Sequence, residues 1–211
     1  MLKTTLLEGY LDTYQSRFRK TDPLDLKIVG VDDGAFSAKT TGERALLLAV
    51  LFRRSSIQAV RTGTIEVDGS DGQTVVKSLI RSLSSDLVML SGISFAGFNI
   101  IDISKLAHAL KKPVIAISGE KPDNRAVRKA LKDHFADWER RWSSVRSAGK
   151  LYTCKSFKNE PKLYFEVEGA TRDFAKSVIS RTAVISRLPE PIRVARIMAK
   201  GLSSLTATIH S

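Results

Sequence analysis

Three apolar runs, Leu26–Val31, Ala45–Phe52 and Ile57–Val67, follow one another with connections too short to hold crossover helices. That spacing constrains the fold more than any other feature of the chain. Strands joined this closely pair antiparallel, because a parallel return needs room for a crossover. The first run stops at Asp32, Asp33 and Gly34, as a buried strand opening into a turn does. The third carries Val60, Thr62, Thr64 and Ile65 in alternation with polar residues, and Asp68–Gly72 supplies the turn that ends it.

The pattern then changes period. Val75, Val76, Leu79, Ile80 and Leu83 recur at three and four residues, the apolar face of a helix that feeds a strand at Asp86–Leu90. Ile103, Leu106, Ala107 and Leu110 mark a second helix, which Pro113 closes before a strand at Val114–Ile117. Alternating helices and strands imply parallel pairing through right-handed crossovers. Asp123–Arg146 reads as helical with a break near Asp133, and it carries Trp138 and Trp142 on one face. Leu151–Cys154 and Leu163–Val167 alternate as an added basic hairpin, and closing helices start near Thr171 and Pro191. A further helix is expected on Leu6, Leu7, Tyr10, Leu11 and Tyr14. The expected class is α/β, a mixed sheet with an antiparallel three-strand meander plus parallel strands. At 211 residues a single domain, 1–211, is expected.

No stretch approaches the roughly 20 apolar residues of a membrane span. Lys3, Glu8 and Asp12 leave no signal-peptide core, so a cytoplasmic protein is expected. A lone Cys154 excludes both a disulfide framework and a thiolate metal cage within one chain, and an inert buried thiol is the ordinary reading. The scarcity of Asn and Gln fits a hot source. The net charge of +12 is uneven: from Arg140 onward fourteen Lys or Arg stand against five acids. Such asymmetry fits a surface that faces a polyanion, with nucleic acid the natural partner, or simply a solvated basic face.

Ligands of open α/β sheets gather beyond the carboxyl ends of strands. The ends of interest are Asp32 with Asp33, Asp68 with Asp71, and Ser91 with Gly92. Two convergent carboxylates suit Mg²⁺ or Mn²⁺, and such an ion polarises a phosphodiester for hydrolysis. Asp and Gly after a strand are equally ordinary turn formers. In Ser91–Asn99 the glycines allow close backbone approach, while Phe95 and Phe98 either plug the core or offer a wedge to a nucleobase. Trp138 and Trp142 pose the same choice between a packing stripe and a stacking platform. No GxSxG or phosphate-loop motif is present, and His108 and His134 lack zinc spacing.

The stretch KIVGVDDGAF resembles the first strand of endonuclease V, with Asp32 at the place of that family's metal-binding Asp. DLVMLSGISFAG followed by KPVIAIS, and RLPEPIRVARI near the C-terminus, are similar to its later strand, loop, strand and arginine-rich helix start. From GVDDG, VDGSDG and GISFAGFNIID the chain is identified as a member of an uncharacterised archaeal family catalogued as domain of unknown function ninety-nine, itself endonuclease V-like. The resemblance implies a ribonuclease-H-like fold with helices on both faces of the sheet. It also implies a nucleic-acid-binding protein and a divalent-metal-dependent endonuclease on DNA or RNA, with Asp32 and Asp71 catalytic and Asp32, Asp71 and Asp68 as metal ligands. The substrate surface expected from it comprises Ser91, Gly92, Phe95, Gly97, Phe98 and Asn99, joined by Lys121, Arg172 and Lys176. Departures are specific. Ser91 stands where that family has its second Asp, which makes the metal site a degenerate one, and Ala170 and Thr171 stand where it has a histidine. A catalytically inactive interaction module on the same fold is the alternative reading.

Overall fold

The computed structural model describes residues 21–36 and 42–209. The helix expected over Leu6–Tyr14 lies outside the described residues. Strands β1 (Ile28–Asp33), β2 (Arg44–Arg53) and β3 (Ser56–Glu66) form the expected meander. Helix α1 (Gly72–Arg81) leads to β4 (Leu87–Leu90), then to a two-stranded ribbon of β5 (Ser94–Phe95) and β6 (Asn99–Ile100). After α2 (Ile103–Leu110) and β7 (Val114–Ser118) come α3 (Asn124–His134) and α4 (Trp138–Ser147). The chain closes with β8 (Tyr152–Cys154), β9 (Leu163–Glu168), α5 (Arg172–Thr182) and α6 (Glu190–Ile209).

The main sheet has the order β3-β2-β1-β4-β7-β9-β8. β1, β4 and β7 run parallel, whereas β2, β3 and β9 extend the sheet by antiparallel pairs. The β8–β9 hairpin is therefore part of the sheet and not an appendage, because β9 pairs with β7 from Tyr164 to Glu168.

Strand periodicity sorts the core into two layers. Val29, Val31, Val88, Leu90, Val114 and Ala116 point to one face, where Val76 and Ile80 of α1 and Leu106 of α2 cover them. Ile28, Leu87, Met89, Ile115 and Ile117 point to the other, beneath Val178 and Ile179 of α5 and Ile192 of α6. Strands buried on both faces need continuous apolar sequence, which is why these runs lack alternation.

On the α6 face the chain presents Gly30 and Asp32 of β1 and then Gly34 just beyond it. A Cβ at Gly30 would overlap the Pro191 carbonyl and lie 2.8 Å from the Ile192 nitrogen, and one at Gly34 would lie 2.9 Å from the Ala199 carbonyl oxygen. Helix α6 therefore lies directly on β1 backbone, and Asp32 is the side chain it closes over.

Candidate functional site

The parallel run of β1, β4 and β7 brings Asp32, Ser91 and Ser118 to one edge of the sheet. Asp32 is 3% exposed. Its Oδ2 accepts from Nε of Arg196 at 2.7 Å, and its Oδ1 accepts from the Ser91 hydroxyl and, at 3.0 Å, from the Asp33 amide. Asp33 belongs to the opposite face, where its Oδ2 accepts from the Ala96 amide at 2.5 Å. Burial pushes the Asp33 carboxyl up to about 6; the Ala96 bond opposes this and the charge of Asp32 adds to it. Gly92, at φ +101°, makes the backbone turn next to Ser91 that an L side chain resists.

Asp68 and Asp71 belong to a different cluster. Asp71 accepts from the Asn99 amide at 2.8 Å, from the Glu66 backbone at 3.1 Å and from Arg44 at 3.0 Å. Partial burial raises its carboxyl, but these three donors together hold it below the ordinary aspartate value. Asn99 is fully buried and also accepts from the Gly72 amide at 2.9 Å, so it closes the open first turn of α1 in place of a capping Asp71. Asp68 Oδ1 accepts from the Phe98 amide at 2.8 Å, and Gly97, at φ +83°, has room for no Cβ against that carboxylate. Glu66, to which Asp71 bonds, lies two strands over and four residues along from Asp32 in register. That is on the order of 15 Å in an ordinary sheet. The structure thus brings Ser91 to Asp32 but not Asp71, and among the described residues no group of three or more His, Cys, Asp or Glu is placed to share a metal ion.

The remaining expected site residues divide by exposure. Phe95 is 1% exposed and plugs the core, and Asn99 is committed to the turn just described, so both are withdrawn from any substrate surface. Phe98 is half-buried, edge-on to Phe135 at 5.5 Å. Lys121 is exposed just beyond β7, at the same edge as Asp32 and Ser91. Arg172 and Lys176 are exposed on α5. Arg172 follows Gly169, which packs on Pro113 at the start of β7, so it lies at the opposite edge. Cys154 is buried and its thiol is pushed up to about 11 by that burial, against a small opposing effect of Lys176, which makes it inert. The tryptophans serve packing between α3 and α4, with Lys132 Nζ 4.7 Å from the Trp138 ring and Arg128 5.8 Å from that of Trp142.

Sequence reasoning passes over Arg196 and marks Asp33 only as the neighbour of Asp32 at a strand end. Arg196 lies 164 residues from Asp32, and no local pattern announces the pair. The nearest signal is the arginine-rich start of α6. Asp33 is visible as the second acid after the strand, yet its partner, the Ala96 amide, depends on how the β5–β6 ribbon folds back.

The family described as Endonuclease dU matches residues 25–203. A UPF0215 protein of Thermococcus sibiricus is 36% identical over 192 residues, covering 88% of this chain and 96% of its own length. Among solved structures, a protein of unknown function from Archaeoglobus fulgidus superposes with a TM-score of 0.74 at 22% identity, over 84% of this chain and 98% of that one. The catalytic domain of human endonuclease V superposes with a TM-score of 0.61 at 13% identity, over 99% and 98% of the two chains. The fold is accordingly the mixed sheet of the endonuclease V and ribonuclease H type, with helices on both faces. No described helix is long and apolar enough to cross a membrane.

Proposed function

The chain belongs to the endonuclease dU family, and from that premise we propose that it binds nucleic acid and cleaves DNA at or beside deoxyuridine, at the strand-end cluster of Asp32, Asp33 and Ser91. The observation that carries this reading is the meeting of the Asp32 carboxylate with the Ser91 hydroxyl and the Asp33 amide, the Asp33 carboxyl standing beside them on the other face, at the carboxyl edge of adjacent parallel strands, the ligand-binding place of open α/β sheets. Asp33 supplies a carboxyl that titrates near 6, suited to accepting or returning a proton around neutral pH. Ser91 orients the Asp32 carboxylate through its hydroxyl. Arg196, whose side chain is partly exposed beside Asp32, carries a guanidinium of the kind that recognises phosphate through two parallel hydrogen bonds.

The expected Mg²⁺ or Mn²⁺ does not fit the donors as folded. Both Asp32 oxygens are already engaged, one by a cation, and the Asp33 oxygen Oδ2 holds a backbone amide. Two carboxylates and a neutral hydroxyl are a thin set for a hard divalent ion. In this reading an ion has access to Asp32 only with Arg196 withdrawn.

Asp32 lies beneath α6 in an ion pair, and that observation favours a second reading, a binding protein without turnover. One experiment separates them. Labelled single- and double-stranded DNA carrying one deoxyuridine is incubated with the protein in Mg²⁺, Mn²⁺ or chelator. Cleavage at the deoxyuridine, lost in Asp32→Ala and Asp33→Asn, supports the nuclease. Binding with no product on any substrate leaves the second reading standing.

A further inference from the structure

Outside the strand-end cluster, the most strongly featured surface is the α3–α4 hairpin. The two helices hold seven Lys or Arg, against Asp133 and Glu139 within them and the capping Asp123 and Asp137. On α3 the cations Arg125, Arg128, Lys129 and Lys132 recur at three and four residues, so they form one stripe, and Leu131 is the only residue of that helix that is buried. A solvated face would account for the stripe alone. Two further observations point to a ligand.

The first is restraint. Lys132 and Arg128 lie over the rings of Trp138 and Trp142, which holds two long cationic side chains near fixed positions and lowers the entropy a ligand would have to remove. The second is a cavity of about 130 Å³ at the foot of α4. Lys105, Arg140 and Arg141 line it together with the hydroxyls of Ser70 and Ser144 and the amide of Gln73. Asp102 is its one acidic wall residue and pairs with Lys105 at 3.2 Å. Arg141 is fixed by the Gly69 and Phe98 carbonyls at 2.8 and 2.7 Å and by Asp137 at 2.7 Å, and the same Asp137 pairs with Arg140. Gln73 is spent on the Asp102 backbone and Ser144 on the Arg140 carbonyl, but Lys105 and Arg140 are exposed and each keeps N–H donors beyond its one pairing, the kind of donors a phosphate oxygen takes.

Topology joins the two features to the candidate site. Ser70 lies in the turn after β3, which runs parallel to β1, and α3 begins six residues after Ser118 at the end of β7. Cavity and cationic stripe share the carboxyl edge of the sheet with the strand-end cluster, the cavity on the α1–α2 face with Asp33 and the Asp32–Ser91 pair on the α6 face.

We propose that the α3–α4 hairpin and the cavity at its foot form a docking surface for the phosphate backbone of a nucleic-acid strand, flanking the strand-end cluster and indifferent to base identity. The partner is a nucleic acid and not an acidic protein, because the cations are spread along one helix and into a separate seat, as a ligand with charge repeated along its length would engage them. The proposal deepens the nucleic-acid reading above and rests on it for the choice of partner, but not on catalysis.

The test is fluorescence anisotropy with a labelled 24-residue DNA, with and without one deoxyuridine, across a series of KCl concentrations. Two double variants are compared with the wild type: Arg128→Glu with Lys132→Glu, and Lys105→Glu with Arg140→Glu. Each should weaken binding of both DNAs at least about tenfold and flatten the salt slope by about 0.9 for each phosphate no longer neutralised. Neutral versions, Arg128→Gln with Lys132→Gln and Lys105→Gln with Arg140→Gln, should show the same direction to a smaller extent; circular dichroism checks their fold. Wild-type binding without cleavage would defeat the nuclease reading and leave this surface intact. Unchanged affinity and slope in both double variants would overturn the surface, as would poly-glutamate competing as well as unlabelled DNA.

Discussion

Asp32 and Arg196 are unequal partners. The carboxylate is nearly inaccessible, whereas the Arg196 side chain is 39% exposed and can turn to water. Removing the acid therefore releases a cation that resolvates, while removing the base strands a buried carboxylate. Arg196→Ala should cost about 2–4 kcal/mol and Asp32→Asn about 1 kcal/mol, since the amide retains part of the bonding to Ser91. Urea unfolding of the two variants measures the order. A costlier Asp32→Asn would mean that the pair is not the buried anchor its geometry indicates.

Among the elements, β1 and α6 show how a close backbone approach is written in residues. Gly30→Ala would drive a Cβ into the Pro191 carbonyl, part of a helix that cannot shift without leaving the sheet, so a loss of about 2–3 kcal/mol or more is expected. Gly201→Ala, in the same helix but with open space around its Cβ, should instead gain about 0.5–1 kcal/mol through helix propensity. Opposite signs in thermal unfolding would confirm that space, not helix preference, selects glycine at position 30; equal signs would refute it.

The same elements explain what is legible in the sequence and what is not. β1, β2, β3 and the helices α1 and α2 are legible because each carries enough residues to show a period, and short connections fix the meander. The helix break expected near Asp133 falls after His134, between α3 and α4. The β5–β6 ribbon escapes sequence reading, since two residues per strand show no period. At the site, Asp32 and Ser91 are legible as strand ends. Asp71 reads as a partner of Asp32 because turn acids and ligand acids look alike until Asn99 and Arg44 are seen to hold one. Arg196 is invisible as a counter-ion because its role is set by α6 docking on Gly30 and Gly34.

For the whole molecule, buried acids decide how stability follows pH. Glu166 is paired in register with Ala116 at 9% exposure, and burial pushes its carboxyl up to about 7 from 4.5, with only its own backbone amide opposing. Asp33 moves in the same direction, to about 6 from 3.8. A raised folded pKa means that the native state holds the proton more tightly than the unfolded chain does. The stability it contributes is complete below the unfolded value and is lost as pH rises through the folded one. Asp71, Asp137 and Glu190 act oppositely: burial lifts each, but stronger hydrogen bonding leaves each below its ordinary value, so their contribution is lost only as acid approaches those lowered values. Stability should therefore peak near pH 5 and fall toward pH 8 by a few kcal/mol, since a carboxyl displaced this far upward accounts for about 3 kcal/mol once it is fully ionised. The net charge of +12 grows in acid and opposes this trend, but exposed charges are screened beyond about 8 Å at physiological ionic strength. Urea midpoints in 0.15 M KCl at about pH 5 and pH 8 measure the fall, and Glu166→Gln should remove about half of it, Asp33 accounting for a comparable share, by stabilising the protein at the higher pH alone. A wild type equally stable at both values, or a variant that gains at pH 5, would show that Glu166 finds solvent or a cation when it ionises.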